Sequence, residues 1–217
     1  PEQGGGRGIQ PVVAHGVRLM SIGFLVDAET PLVWRGPLLH TTVRQFLSDV
    51  DWGPLDYLIV DLPPGTGDVA LSLAQSVPLT GAVVVTTPQA VSMADVIKSI
   101  AMFQLPQLDV EVLGVIENMS GFVAPDTGQR YDIFGRGGGT VVAERMGVPF
   151  LGEIPIDPDI RESGDFGTPI VVGQPECAVA RAFGEIAGRL AAAVSVRNLG
   201  RDASAPYEAD RDLPLTD

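Results

Sequence analysis

Cysteine occurs once in the 217 residues, as Cys177, so no disulfide can close within the chain. A zinc or iron–sulfur site built from several cysteines of one chain is excluded with it. Such thiol usage fits a reducing, cytoplasmic setting. Lysine also occurs once, as Lys98. Basic residues are scarce altogether: 14 stand against 27 acidic ones, a net charge of −13, which argues against gripping nucleic acid or an anionic membrane by bulk charge. No run of about 18 apolar residues occurs, and Pro1-Glu2-Gln3-Gly4-Gly5-Gly6-Arg7 lacks an apolar signal core, so neither export nor a membrane span is expected. What the chain does have is 45% hydrophobic and 19% charged residues, the balance of a globular protein rather than a disordered or collagen-like one.

Short apolar runs rich in β-branched residues alternate with segments of helical period. Strands are predicted at Val17–Ile22, Tyr57–Asp61, Ala82–Thr87, Val112–Ile116 and Phe150–Ile154. Helices are predicted at about 37–50, 68–77 and 92–103, after Gly139, and over about 176–194. The runs at 57–61, 82–87 and 112–116 are nearly continuously apolar, as in parallel strands covered on both faces. The fold class read from this is α/β, a doubly wound, mostly parallel sheet. Ser92 and Asp95 suggest the N-terminal cap of a covering helix, with Val96, Ile97, Ile100 and Phe103 on its inner face. Residues 1–194 read as one domain. From Ser195 onward periodicity fades, and 195–217 reads as an acidic, flexible tail.

The stretch Leu58-Ile59-Val60-Asp61-Leu62-Pro63-Pro64-Gly65-Thr66-Gly67-Asp68 carries the most chemistry. An apolar strand that ends in a carboxylate and turns at once through Gly and Pro puts that carboxylate in the crevice where α/β sheets bind ligands. In phosphoryl-transfer sites such an aspartate holds Mg²⁺ and the following loop senses the γ-phosphate. The bland alternative is an aspartate that caps the next helix.

Asp61-Leu62-Pro63-Pro64-Gly65-Thr66-Gly67-Asp68 closely resembles the Walker B and switch region of the Mrp/ApbC family, P-loop ATPases that carry iron–sulfur clusters to apoproteins. The resemblance continues through Trp34-Arg35-Gly36-Pro37, Val50-Asp51-Trp52-Gly53, Ile116-Glu117-Asn118-Met119-Ser120, Asp132-Ile133-Phe134-Gly135 with Gly137-Gly138-Gly139, and Gly152-Glu153-Ile154-Pro155-Ile156-Asp157. It covers about residues 8 to 194. It implies a P-loop NTPase-like fold, ATP with Mg²⁺ as cofactors of the complete protein, a homodimer, and apoprotein clients. Asp61 then matches the carboxylate near Mg²⁺, and Pro64, Gly65 and Thr66 the switch loop beside the γ-phosphate. Asn118 matches the amide that reads the adenine edge, though an Asn closing a turn has the same signature. Pro155 and Asp157 match the segment flanking the adenine, or simply stop a strand. Gly137-Gly138-Gly139 resembles a phosphate-binding helix start, but reads more simply as a tight turn with close packing. His15 and His40 lack a third ligand at metal spacing and read as surface or turn residues.

Two departures qualify the resemblance. The family's lysine-bearing phosphate loop, which cradles the phosphates, and the aspartate after it are missing, and Lys98 lies inside a covering helix. The expectation is a chain that begins downstream of that loop, without its first strand, and does not hydrolyse ATP alone. Where many members place Cys-x-x-Cys, pooled by two subunits around one [4Fe–4S] cluster, this sequence has Ala124-Pro125-Asp126-Thr127. Neither Ala124 nor Thr127 can ligate iron in that mode, so cluster binding at the usual site is not expected. Cys177 reads as a buried or capping thiol. Two other readings stay open: a degenerate, non-enzymatic interaction module, and a ParA/MinD-like positioning ATPase. The acidic, proline-containing tail and the −13 charge weigh against the latter.

Overall fold

The computed structural model describes residues 8–25, 36–62, 68–108 and 110–202. By its internal contacts the chain divides into two compact units, Pro1–Pro78 and Leu79–Asp217.

In the first unit, β1 (Val12–Ala14) and β2 (Val17–Leu19) form an antiparallel hairpin. His15 at φ 50° and Gly16 at φ 79° make the tight turn that matches the right-handed twist of paired strands. Of the predicted strand Val17–Ile22 only Val17–Leu19 pairs; a 3₁₀ turn (Ile22–Phe24) follows, which Ser21 caps by accepting from the Gly23 amide. Helices α1 (Gly36–Ser48) and α2 (Asp68–Ser76) pack on each other, with Val69, Ala70 and Leu73 buried. Val50 bridges Ile9 in parallel, and Gln10 reaches the Asp51 carboxylate. The Arg18 guanidinium donates to the carbonyls of Trp52 and Pro54 at 2.6 and 2.9 Å and lies over Gly53, while the Trp52 indole donates to the Phe46 carbonyl. The Val50-Asp51-Trp52-Gly53 word thus fixes a turn.

The segment Tyr57–Asp61 corrects its prediction. It takes no strand pairing among the described residues, and Leu58 and Ile59 are 44% and 84% exposed. β-propensity is a preference for a pleated, half-buried surface, and no ladder here supplies that surface.

The second unit holds the sheet. Strands β3 (Ala82–Thr86), β4 (Val112–Val123) and β6 (Phe150–Ile156) run parallel with β4 between the others, and β5 (Arg130–Tyr131) adds antiparallel to the far end of β4. Helices α3 (Ala90–Phe103) and α4 (Gly138–Met146) pack over β3 and β4, and α7 (Ala178–Asp202) packs over β6 and β4. Short helices α5 (Pro158–Asp165) and α6 (Ile170–Gly173) connect β6 to α7. Ile116 joins the cluster of Leu151, Ile154, Ile186 and Phe183 under α7, whereas its neighbour Glu117 reaches α4. Successive strand residues point to opposite faces, so helices cover both faces, as the unbroken apolar runs predict. The mixed sheet with helices is P-loop NTPase-like in class.

Two boundaries move. α3 starts at Ala90, and the Ser92 hydroxyl does not cap it: Ser92 accepts from the Thr87 amide at 3.0 Å and pairs with the Thr86 hydroxyl, tying the helix to the end of β3. Asp95 pairs on the surface with Lys98. α7 continues through Asp202, so fading periodicity at Ser195 does not end the helix; residues 203–217 lie outside the described ones.

A Cβ on Gly114 would stand 2.5 Å from the Leu151 Cγ, closer than real side chains approach. Gly114→Ala is accordingly expected to destabilise this unit by about 1–3 kcal/mol through overpacking, read as a lower urea midpoint in far-UV circular dichroism.

Candidate functional site

Parallel strands present their carboxyl ends along one edge, where open α/β sheets bind ligands. In the second unit that edge carries Thr86 at the end of β3, Asn118 on β4, and Pro155 followed by Asp157 at the end of β6. Asn118 stands opposite Ile154 in the register, so Asn118 and Pro155 come to the same level of neighbouring strands. Asn118 is half-buried, and its Oδ1 accepts from the Met119 amide at 2.9 Å. Its Nδ2 has no partner among the described residues. Asp157 caps α5 by accepting from the Asp159 amide at 2.9 Å, with Pro158 in the first helical position. The strand stop and the helix start are one device.

Asp61 belongs to the first unit, is exposed, and has no hydrogen bond or ion pair among the described residues. Pro64, Gly65 and Thr66 lie outside the described residues, as do Trp34 and Arg35. Lys98 sits on the exposed side of α3 with Asp95 as its partner.

Ala124 and Thr127 occupy the tight turn joining β4 to β5. Ala124 donates to the Gln129 carbonyl and accepts from the Gly128 amide at 2.9 and 2.8 Å, and the Thr127 hydroxyl accepts from the Gln129 amide. Cys177 lies just before α7, and its Sγ accepts from the Ala180 amide at 3.3 Å, which makes it a helix-capping thiol. No group of three or more His, Cys, Asp or Glu at metal-binding geometry occurs among the described residues.

Sequence reasoning missed Glu117. Its side chain is fully buried, and it accepts from the Gly137 amide at 3.3 Å and the Gly139 amide at 2.5 Å. The helix start at Gly137-Gly138-Gly139, which resembled an anion site, is thus filled by the protein's own carboxylate. A Cβ on Gly139 would stand 2.8 Å from the Glu117 Cβ, so glycine is what lets the carboxylate reach the helix. The signal was in the sequence: one acid inside an apolar strand must find partners.

A second missed group is Arg130 on β5. It donates to Asp132 at 2.9 Å and to the Ser120 carbonyl at 3.2 Å, and lies 3.6 Å from Glu153. Chiefly the hydrogen bond to Asp132, with Glu153 adding to it against partial desolvation, holds the guanidinium in its charged form more firmly than usual. Two cavities of about 360 and 390 Å³ in this unit, one beside Met93 and Val141 and the other beside Phe103 and Arg197, include none of the candidate residues.

The mixed sheet with helices on both faces places this unit in the P-loop NTPase-like class of folds. Aquifex aeolicus MinD shares it at TM-score 0.52 and 21% identity, over 75% of this chain and 63% of that one. A nucleotide-binding protein from Archaeoglobus fulgidus solved in complex with ADP aligns at TM-score 0.64 and 39% identity, over 79% of this chain and 65% of that one. The chain belongs to the NUBPL iron-transfer P-loop NTPase family, a ParA-type group whose family description matches residues 1–191. The iron-sulfur cluster carrier protein of Synechocystis is 52% identical over 195 residues, covering 89% of this chain and 55% of that protein. The carrier protein of Deinococcus radiodurans is 54% identical over 193 residues, covering 89% and 54%. The iron-sulfur cluster transfer protein NUBPL of Dictyostelium discoideum is 43% identical over 188 residues, covering 87% and 58%. The chain spans about half the length of the curated relatives it matches.

Proposed function

We propose that this chain supplies the base-recognising edge and the Mg²⁺-proximal carboxylate of an ATP-dependent iron–sulfur cluster carrier that acts on apoprotein clients as a homodimer. The observation that carries the reading is the adenine-side trio: Asn118, Pro155 and Asp157 share the carboxyl edge of two adjacent parallel strands, with the Asn118 Nδ2 uncommitted. Asp61 is assigned to Mg²⁺ through water, and Pro64, Gly65 and Thr66 to sensing the γ-phosphate. Mg²⁺ when bound neutralises phosphate charge; the residues here orient the nucleotide.

We assign these residues no hydrolysis of their own. The 217 residues contain no lysine but Lys98, which is paired on α3, so these residues alone offer no lysine to neutralise the phosphates. The cluster is cargo. With Ala124 and Thr127 at the hairpin, this chain is assigned no cluster ligand there, an observation that also favours a second reading, an interaction module of the carrier family.

Titration of the chain with ADP separates these. Saturable binding is expected, weakened about tenfold by Asn118→Ala, equivalent to about 1.4 kcal/mol, with no phosphate release from ATP above background. Binding indifferent to Asn118→Ala, or absent at millimolar ADP, supports the interaction module instead.

A further inference from the structure

Strand β4 departs from regular pairing just beyond Asn118. Asn118 stands opposite Ile154 and Phe122 opposite Ile156, so β4 takes four steps where β6 takes two. The surplus residues bulge out through Met119 at φ 58° and Gly121 at φ 76°. Left-handed backbone is unusual for methionine and persists only where the surroundings impose it. The bulge brings the Met119 amide onto the Asn118 Oδ1, which orients the side-chain amide.

The guanidinium of Arg130 lies across this bulge. One nitrogen donates to both the carbonyl and the hydroxyl of Ser120, at 3.2 and 3.3 Å. Nε donates to Asp132 at 2.9 Å, and the remaining nitrogen faces Glu153 at 3.6 Å. Ser120, itself buried, donates to the other Glu153 oxygen at 2.5 Å. The group lies flat over Gly121, where a Cβ would stand 2.8 Å from Nε. One planar fork therefore ties β5, the β4 bulge and β6 together, a geometry a lysine ammonium cannot reproduce.

We propose that Arg130 is a positioning residue for base recognition: by clamping the Met119–Gly121 bulge it fixes the Asn118 amide with only its Nδ2 donor facing the ligand. This rests on the base-recognition reading given above. Discrimination follows where the donor meets ring N1, an acceptor in adenine and an N–H in guanine: an amide held with Nδ2 toward that position favours adenine, and a freely rotating one accepts either.

The test compares ADP with GDP binding, and amide exchange at Met119, in the wild-type chain, Arg130→Gln, Arg130→Lys and Asn118→Ala. Arg130→Gln is expected to reduce the ADP-over-GDP preference about tenfold, as Asn118→Ala does, and to speed Met119 exchange about tenfold with far-UV circular dichroism unchanged. Arg130→Lys, which keeps the charge and loses the fork, is expected to recover part of both. A preference unchanged in Arg130→Gln but lost in Asn118→Ala overturns the role of Arg130 alone. A wild-type chain that binds ADP and GDP equally overturns the base-recognition reading and Arg130's role with it, and the exchange data then report only on the clamp as structure.

Discussion

Replacing Glu117 by alanine is expected to cost the sheet-bearing unit about 3–5 kcal/mol, the largest effect of any single substitution proposed for this chain. The carboxylate is fully buried and is the acceptor for the amides of Gly137 and Gly139 at the start of α4. Removing it orphans two backbone donors, each worth about 1–3 kcal/mol when buried without a partner, and leaves a void between β4 and α4. Glu117→Gln separates the contributions. Its single amide oxygen can serve one of the two donors while its NH₂ confronts the other, so a cost of about 1–2 kcal/mol is expected. Urea unfolding followed by far-UV circular dichroism reads both costs, and a loss below about 1 kcal/mol for Glu117→Ala contradicts the capping role.

The second large effect is a gain. Ala124→Cys with Thr127→Cys places two thiols three residues apart in the turn between β4 and β5, where Thr127 is exposed and the backbone hydrogen bonds of Ala124 do not depend on its side chain. Surface substitutions of this kind cost little stability, within about 0.5 kcal/mol. On the dimeric pooling that the family resemblance implies, anaerobic reconstitution of the double variant is expected to yield about four irons and four sulfides per two chains, with thiolate-to-iron absorption in the visible. The wild-type chain is expected to stay near background, because alanine and threonine offer no soft ligand. A stoichiometric, oxygen-sensitive cluster on the wild-type chain overturns the assignment of no cluster ligand at this hairpin, and an iron-free double variant overturns the hairpin as the cluster position.

The second unit was legible because its signals were local. Continuous apolar runs at 82–86 and 112–116 marked strands covered on both faces, and the helix ending at Phe103 buries Val96, Ile100 and Phe103 as its spacing requires. What escaped depends on partners distant in sequence. Ser92 looked like a cap because Ser followed three residues later by Asp is a capping pattern, yet its hydroxyl found Thr86 and Thr87. Tyr57–Asp61 looked like a strand because its residues favour one, but a strand is defined by its neighbours. Glu117 lies within a family-like motif and Arg130 just ahead of one, but neither the burial of Glu117 nor the ten-residue reach of Arg130 back to Ser120 across the hairpin is visible in spacing. At the candidate site, the motif order singled out Asn118, Pro155 and Asp157, while the capping bond of Asp157 and the Met119 bond that half-occupies the Asn118 amide emerged only from the backbone geometry.

The reading of this chain as the base-recognising part of a nucleotide-dependent carrier is tested most directly by mapping ADP onto its amide resonances. Shifts that saturate together at Asn118, Met119, Ile156 and Asp157, and that vanish in Asn118→Ala, are the predicted result. Saturating shifts confined to α7 or to the groove between α3 and α4, or no shifts at millimolar ADP, contradict it.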